Sequence, residues 1–189
     1  MPANGPRVLS SWANFYVMAG TSAAALVGLV FIVITLVTGS PRTRTRREGT
    51  ATFSTPTIVH FATVLFVSAV LLAPWPSLTY PLAVLGIAGA FGVAYVLRVA
   101  YRMTRMEIYT ADAEDYTWHI ALPLLAYAVV FAGALALRAY TAPALFAIAA
   151  AVVAMLFIGI HNAWDVVTYL AIENVEEPAD SQEHTTAPD

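Results

Sequence analysis

Long apolar runs alternate along this chain with short segments that hold nearly all of its charge. The runs cover about residues 12–38, 56–73, 80–102, 118–138 and 143–172. At about 1.5 Å of rise per residue, each reaches or nearly reaches across the roughly 30 Å of hydrocarbon in a bilayer. The pattern predicts an all-α, polytopic membrane bundle with five transmembrane helices. The connections are too short to hold a second domain, so residues 1–172 form one unit. Residues 173–189 are acidic and poor in apolar side chains, which predicts a disordered tail.

Proline punctuates the runs. Pro56, Pro81 and Pro143 each stand where a span opens, a position that tolerates the missing N–H because no intrahelical acceptor waits for it. Pro74 and Pro76 flank Trp75 and close the second span, so the second and third spans are expected as antiparallel neighbours. Pro123 lies in the first turns of the fourth span, where it is either tolerated or kinks the helix and frees a carbonyl. Small residues recur at four-residue spacing: Gly20, Ala24 and Gly28, then Gly86, Ala90 and Ala94, then Ala147 and Ala151 before Met155. Such stripes let helix backbones approach closely, either within one bundle or between copies in a homo-oligomer.

Composition supports the membrane assignment, with 59% apolar and 11% charged residues against about 25% charged in soluble domains. There is no cysteine, hence no disulfide, thiolate metal site or thiol nucleophile. Every basic residue is arginine. Arg42, Arg44, Arg46 and Arg47 follow the first span and Arg98, Arg102 and Arg105 end the third, while Arg7 and Arg138 fall on the other side. The positive-inside rule then predicts an outer N-terminus and a cytoplasmic C-terminus. Trp12 and Trp75 fit the outer interface, Trp118 and Trp164 the inner one. One N-terminal arginine and an overlong apolar run speak against a cleaved signal peptide. The arginine-rich first inner loop suits anionic headgroups. Acidic Glu107, Asp112, Glu114 and Asp115 in the second inner loop predict that the two loops lie close together. Alanine-rich, lysine-free usage points to a bacterial cytoplasmic membrane, multi-pass.

Ionisable groups at membrane depth are costly, and few occur here. His161 and Asp165 stand four apart on one face of the last span with Asn162 between them, and Thr168 and Tyr169 continue the polar stripe. His60 lies a turn inside the second span and His119 at the start of the fourth, all toward the inner leaflet. One expectation is a proton or ion pathway through His161, Asp165, His60 and Asn162, because histidine titrates near neutral pH and a carboxylate tunes it. A weaker one is a metal or haem site drawing on His60, His119, His161 and Asp165, for zinc or iron. A third is that these groups only tie helices together. Arg98 and Arg102 are expected either to pair, with Asp165 or with Glu107 or Asp115, or to form a cationic vestibule. Asn14 is expected to cap the first helix. No nucleophile triad, phosphate loop or nucleotide motif is present, which speaks against an enzyme and against nucleic acid as a partner.

Trp12, Asn14, Phe15, Tyr16 and Gly20, followed by Ala25, Leu26, Gly28, Leu29 and Phe31, give the first helix an aromatic start and a small-residue seam. Over residues 12–33 this resembles the first helix of a group of small bacterial integral membrane proteins. The resemblance covers about a tenth of the chain and implies a membrane location without assigning any site residue. Taken together, the expected molecule is a homo-oligomeric ion or proton channel of the cell membrane, contacting the lipid bilayer and holding no cofactor. The alternative is a non-conducting metal or haem binder, or an accessory subunit that serves as scaffold in a membrane complex.

Overall fold

The computed structural model describes residues 5–38, 47–103 and 113–176, and these are all-helical, without strands. A short α1 (Gly5–Ser11) leads into α2 (Ala13–Thr38), followed by α3 (Arg47–Leu72) and α4 (Thr79–Met103). A single turn, α5 (Ala113–Tyr116), passes through a π-helical turn (Thr117–Ala121) into α6 (Leu122–Ala136), and α7 (Thr141–Glu176) ends the described chain. Four stretches are long and apolar enough to cross a membrane: Ala13–Thr35, Thr79–Met103, Thr117–Ala136 and Thr141–Asp165. The apolar part of α3, Pro56–Leu72, is shorter. Its polar residues Thr57, His60 and Ser68 are buried against neighbouring helices, so lipophilicity understates how α3 is accommodated.

The main packing sequence across the bundle is α2, α3, α7, α6, α4, with lesser contacts of α2 with α7 and α3 with α4. Each neighbour runs antiparallel to the next. Trp12 at the start of α2 stacks edge-on against Phe146 at the start of α7, with ring centroids 4.7 Å apart, while Gly20 meets Ser68 near the end of α3. Gly133 of α6 lies on Ala144 and Ile148 of α7, and Trp118 before α6 lies on His161 late in α7. Trp12 and Trp75 therefore mark one end of the bundle, and Trp118 and Trp164 the other. Helix α7 is the axis: half of its most apolar window is buried, against 17% for α2 at the edge.

Glycines set the close approaches. A Cβ on Gly89 would stand 2.7 Å from the backbone nitrogen of Phe131, and one on Gly92 would collide with the Tyr127 ring. Helix α4 thus packs chiefly on α6, and its contact with α3, the expected neighbour, is the lesser one. The tight connection through Pro74 and Pro76 brings their ends together, but the groove that fits α4 belongs to α6. The four-residue stripes are only partly used. Gly20 and Gly86 are buried, whereas Ala24, Gly28, Ala90 and Ala94 face outward, and nothing lies within 4 Å of a Cβ on Gly28.

Prolines 81 and 143 sit in the first turns of α4 and α7, as the sequence predicts. Pro56 does not open its helix: α3 starts at Arg47, and Pro56 lies inside it. Asn14 is exposed within α2 instead of capping it, because the break between α1 and α2 falls at Trp12. Helix α7 continues to Glu176, past the expected start of the tail at residue 173. Most of the two segments expected as inner loops, including Arg42, Arg44, Arg46, Arg105, Glu107 and Asp112, lies outside the described residues, as does the tail beyond Glu176.

Candidate functional site

The chemistry gathers at the Trp118 end of the bundle. One helical turn separates His161 from Asp165, which brings His161 Nδ1 to 2.9 Å from Asp165 Oδ2. The contact is close enough for an ion pair but off the line of a hydrogen bond. On the other side of the ring, Nε2 lies 3.8 Å from Glu114 Oε1 of α5. Trp118 covers the imidazole, with ring centroids 3.7 Å apart and planes tilted by 34°. The side chains are 24% exposed for His161, 51% for Asp165 and 73% for Glu114, so the imidazole is sheltered while both acids reach outward. A neutral imidazole has one N–H and one lone pair, and it can satisfy only one of two carboxylates on opposite nitrogens.

The turn carrying Trp118 has a local cause. Leu122 N–H reaches back five residues to the Thr117 carbonyl, and Pro123 has no N–H to continue an α-helical ladder. The helix widens into a π-turn there, so of the two outcomes the sequence left open for Pro123 the helix is distorted and not merely tolerant of it, and the turn aims Trp118 at α7. His119 lies in the same turn, close enough to His60 that their charged forms would repel.

Deeper in the bundle lies a second polar group. His60 of α3 is buried, with Nδ1 3.0 Å from the Tyr127 hydroxyl of α6, which is itself 3.2 Å from Thr63 Oγ1. Thr63 also donates to the Val59 carbonyl. Tyr127 is held by Gly92, whose missing side chain leaves room for the ring. Asn162 and Thr57 are buried as well, and neither has a hydrogen-bond partner for its side-chain polar atoms; His60 Nε2 has none either. Each such orphan costs about 1–3 kcal/mol unless something else satisfies it. Toward the other end, Val64, Val67, Val130, Val152 and Met155 are fully buried and close the interior with apolar surface. Beyond them, the Tyr16 hydroxyl and Ser68 Oγ are buried without partners.

The structure therefore brings together His161 and Asp165, as expected, and places Asn162, His60 and His119 at the same end of the molecule. Among the described residues, His60, His119, His161 and Asp165 do not form a group of three metal-capable side chains. Asp165 pairs with His161 and not with Arg98. Helix α6 lies between α4 and α7, which keeps the exposed Arg98 and Arg102 away from Asp165. Thr168 turns its hydroxyl back onto the Trp164 and Asp165 carbonyls and so adds no free polar group to the stripe. The side chains of Asp115 and Tyr169 lie outside the described residues. Sequence reasoning assigned no site role to Thr57, Thr63 or Tyr127, read Glu114 as part of an acidic loop that faces the basic one or could take a hard cation, and read Trp118 as an interface anchor. Thr63, Tyr127, Glu114 and Trp118 join the site through contacts between separate elements that no local spacing encodes. The one available signal was Pro123, five residues after Trp118 and four after His119. Compared with known proteins, the chain matches no family model, no curated protein and no solved structure.

Proposed function

We propose that this apolar helical protein spans a bacterial cytoplasmic membrane five times, with its N-terminus outside, and conducts protons or small ions through the polar end of its bundle. The reading rests above all on His161, held between Asp165 and Glu114 at a partly exposed position directly beside the buried Asn162. An imidazole set between two acids at a partly exposed position, next to a buried polar group, is suited to passing charge inward. The buried valines and Met155 argue for a controlled pathway instead of an open pore, because dry apolar constrictions block ions until they widen or hydrate.

The outward small faces of α2 and α4, at opposite edges of the packing sequence, suit contact between copies in a homo-oligomer. The resemblance of residues 12–33 to small bacterial membrane proteins agrees with the proposed location. The deciding measurement is pH-gradient-driven flux in proteoliposomes. Wild type is expected to dissipate the gradient, and Asp165→Asn and His161→Gln to slow dissipation about tenfold, the usual scale for losing one positioned proton-transfer group. Absence of wild-type flux, or equal flux in both variants, removes the reading.

A further inference from the structure

Thr57 and Asn162 stand at the same level of the packed interface of α3 and α7. Phe61 fills the space left by Gly159, which fixes the register of the two helices. Thr57 is four residues before Phe61 and Asn162 three after Gly159, so in an antiparallel pair both stand one turn nearer the Trp118 end on the contacting faces. Both are buried, as is His60 three residues after Thr57. Yet Thr57 Oγ1, His60 Nε2, and Asn162 Oδ1 and Nδ2 all lack protein partners. For Thr57 this is a distinctive choice. Thr35, Thr63, Thr117, Thr141 and Thr168 each turn their hydroxyl back onto a carbonyl of the preceding turn, and Thr57 makes no such bond.

Four buried polar atoms on adjoining turns, all unspent, indicate an occupant. Its chemistry follows from the atoms. Asn162 offers two N–H donors beside a carbonyl acceptor, a hydroxyl both donates and accepts, and the imidazole nitrogen does either according to tautomer. A bare cation would confront the amide donors and a bare anion the oxygen lone pairs. Water, which donates and accepts together, fits the set, and buried water characteristically makes about three such bonds.

We propose that one or more water molecules are bound between α3 and α7 by Thr57, His60 and Asn162, and that they carry protons from His161 to His60. The relay rests on the proposed proton pathway, whereas the water site does not. Asn162 follows His161 directly, and His161 Nδ1 is itself a buried nitrogen without a hydrogen-bond partner. His60 passes its other nitrogen to the Tyr127 hydroxyl, which ends the chain below the apolar closure.

An experimental structure of the full chain in lipid nanodiscs, at a resolution that shows water, tests the site. Density within hydrogen-bonding distance, about 3.2 Å, of at least two of these three side chains is expected. Direct pairing of Thr57 with Asn162, with no intervening density, overturns the site and the relay alike. Flux measured on Thr57→Val, Thr57→Ser and Asn162→Leu tests the relay. Thr57→Val and Asn162→Leu are expected to lose about tenfold, as for other proton-transfer groups, while Thr57→Ser, which keeps the hydroxyl, retains wild-type flux. Unchanged flux in Thr57→Val and Asn162→Leu alongside slowed flux in Asp165→Asn overturns the relay and spares the proposed function. No flux in wild type overturns both, and the water site then stands or falls on the density alone.

Discussion

A buried hydroxyl contributes to stability only when something accepts from it or donates to it, and the two deeply buried tyrosines differ in this respect. Tyr127 meets both His60 Nδ1 and Thr63 Oγ1, whereas the Tyr16 hydroxyl meets nothing. Tyr127→Phe therefore strands His60 and is expected to lower unfolding stability by about 1–3 kcal/mol. Tyr16→Phe removes an unsatisfied group and is expected to leave stability equal or raised. Denaturant unfolding of the two variants in the same detergent makes the comparison, and equal losses in both would contradict these partner assignments. His161 and Asp165 were readable as a pair because both lie on one helix at a spacing that helical geometry converts into contact. Glu114 and Trp118 were not readable as their neighbours, because they reach His161 from another segment of chain.

Among the helices, shape selects partners that apolar content leaves open. The spacing of Gly86, Ala90 and Ala94 suggested a four-residue seam, but the surface that meets α6 is Gly86, Gly89 and Gly92 at three-residue spacing. Ridges of both periods exist on any helix, and the partner's crossing decides which is used. Gly89→Ala is expected to cost about 1–3 kcal/mol, the usual scale for overpacking, because the Phe131 backbone that its Cβ would meet cannot rotate away. Gly28→Ala, which meets open space, is expected to stay within about 0.5 kcal/mol of wild type. Thermal or denaturant midpoints in detergent check both, and a tolerant Gly89 would mean that α4 and α6 sit farther apart than described. Pro123 shows the reverse case, in which one residue type has a local effect that survives tertiary context. Its missing N–H accompanies a π-turn immediately before it, and that turn is what carries Trp118 to His161.

For the molecule as a whole, the alternating direction of neighbouring helices yields a test of how many times the chain crosses. If α3 crosses along with the four longer apolar helices, Ser11 and Ala113 lie on opposite sides of the membrane; if α3 stays on one side, they lie on the same side. The chain has no cysteine, so Ser11→Cys and Ala113→Cys can each be labelled without background. An impermeant thiol reagent is expected to modify Ser11→Cys in intact cells and Ala113→Cys only after the membrane is opened. Labelling of both in intact cells would exclude five crossings. The apolar runs, the arginine bias and the proline positions were legible in the chain itself because they express local quantities: transfer free energy summed over a window, charge per loop and backbone donors lost. They were enough for an all-helical bundle with apolar helices of membrane-spanning length. Which helices touch, which glycines are filled by a neighbour's ring or backbone, and which buried polar atoms remain unpaired came only with the folded molecule. Those properties depend on residues far apart in sequence meeting at one depth, and no periodicity along a single helix records where its neighbour will lie.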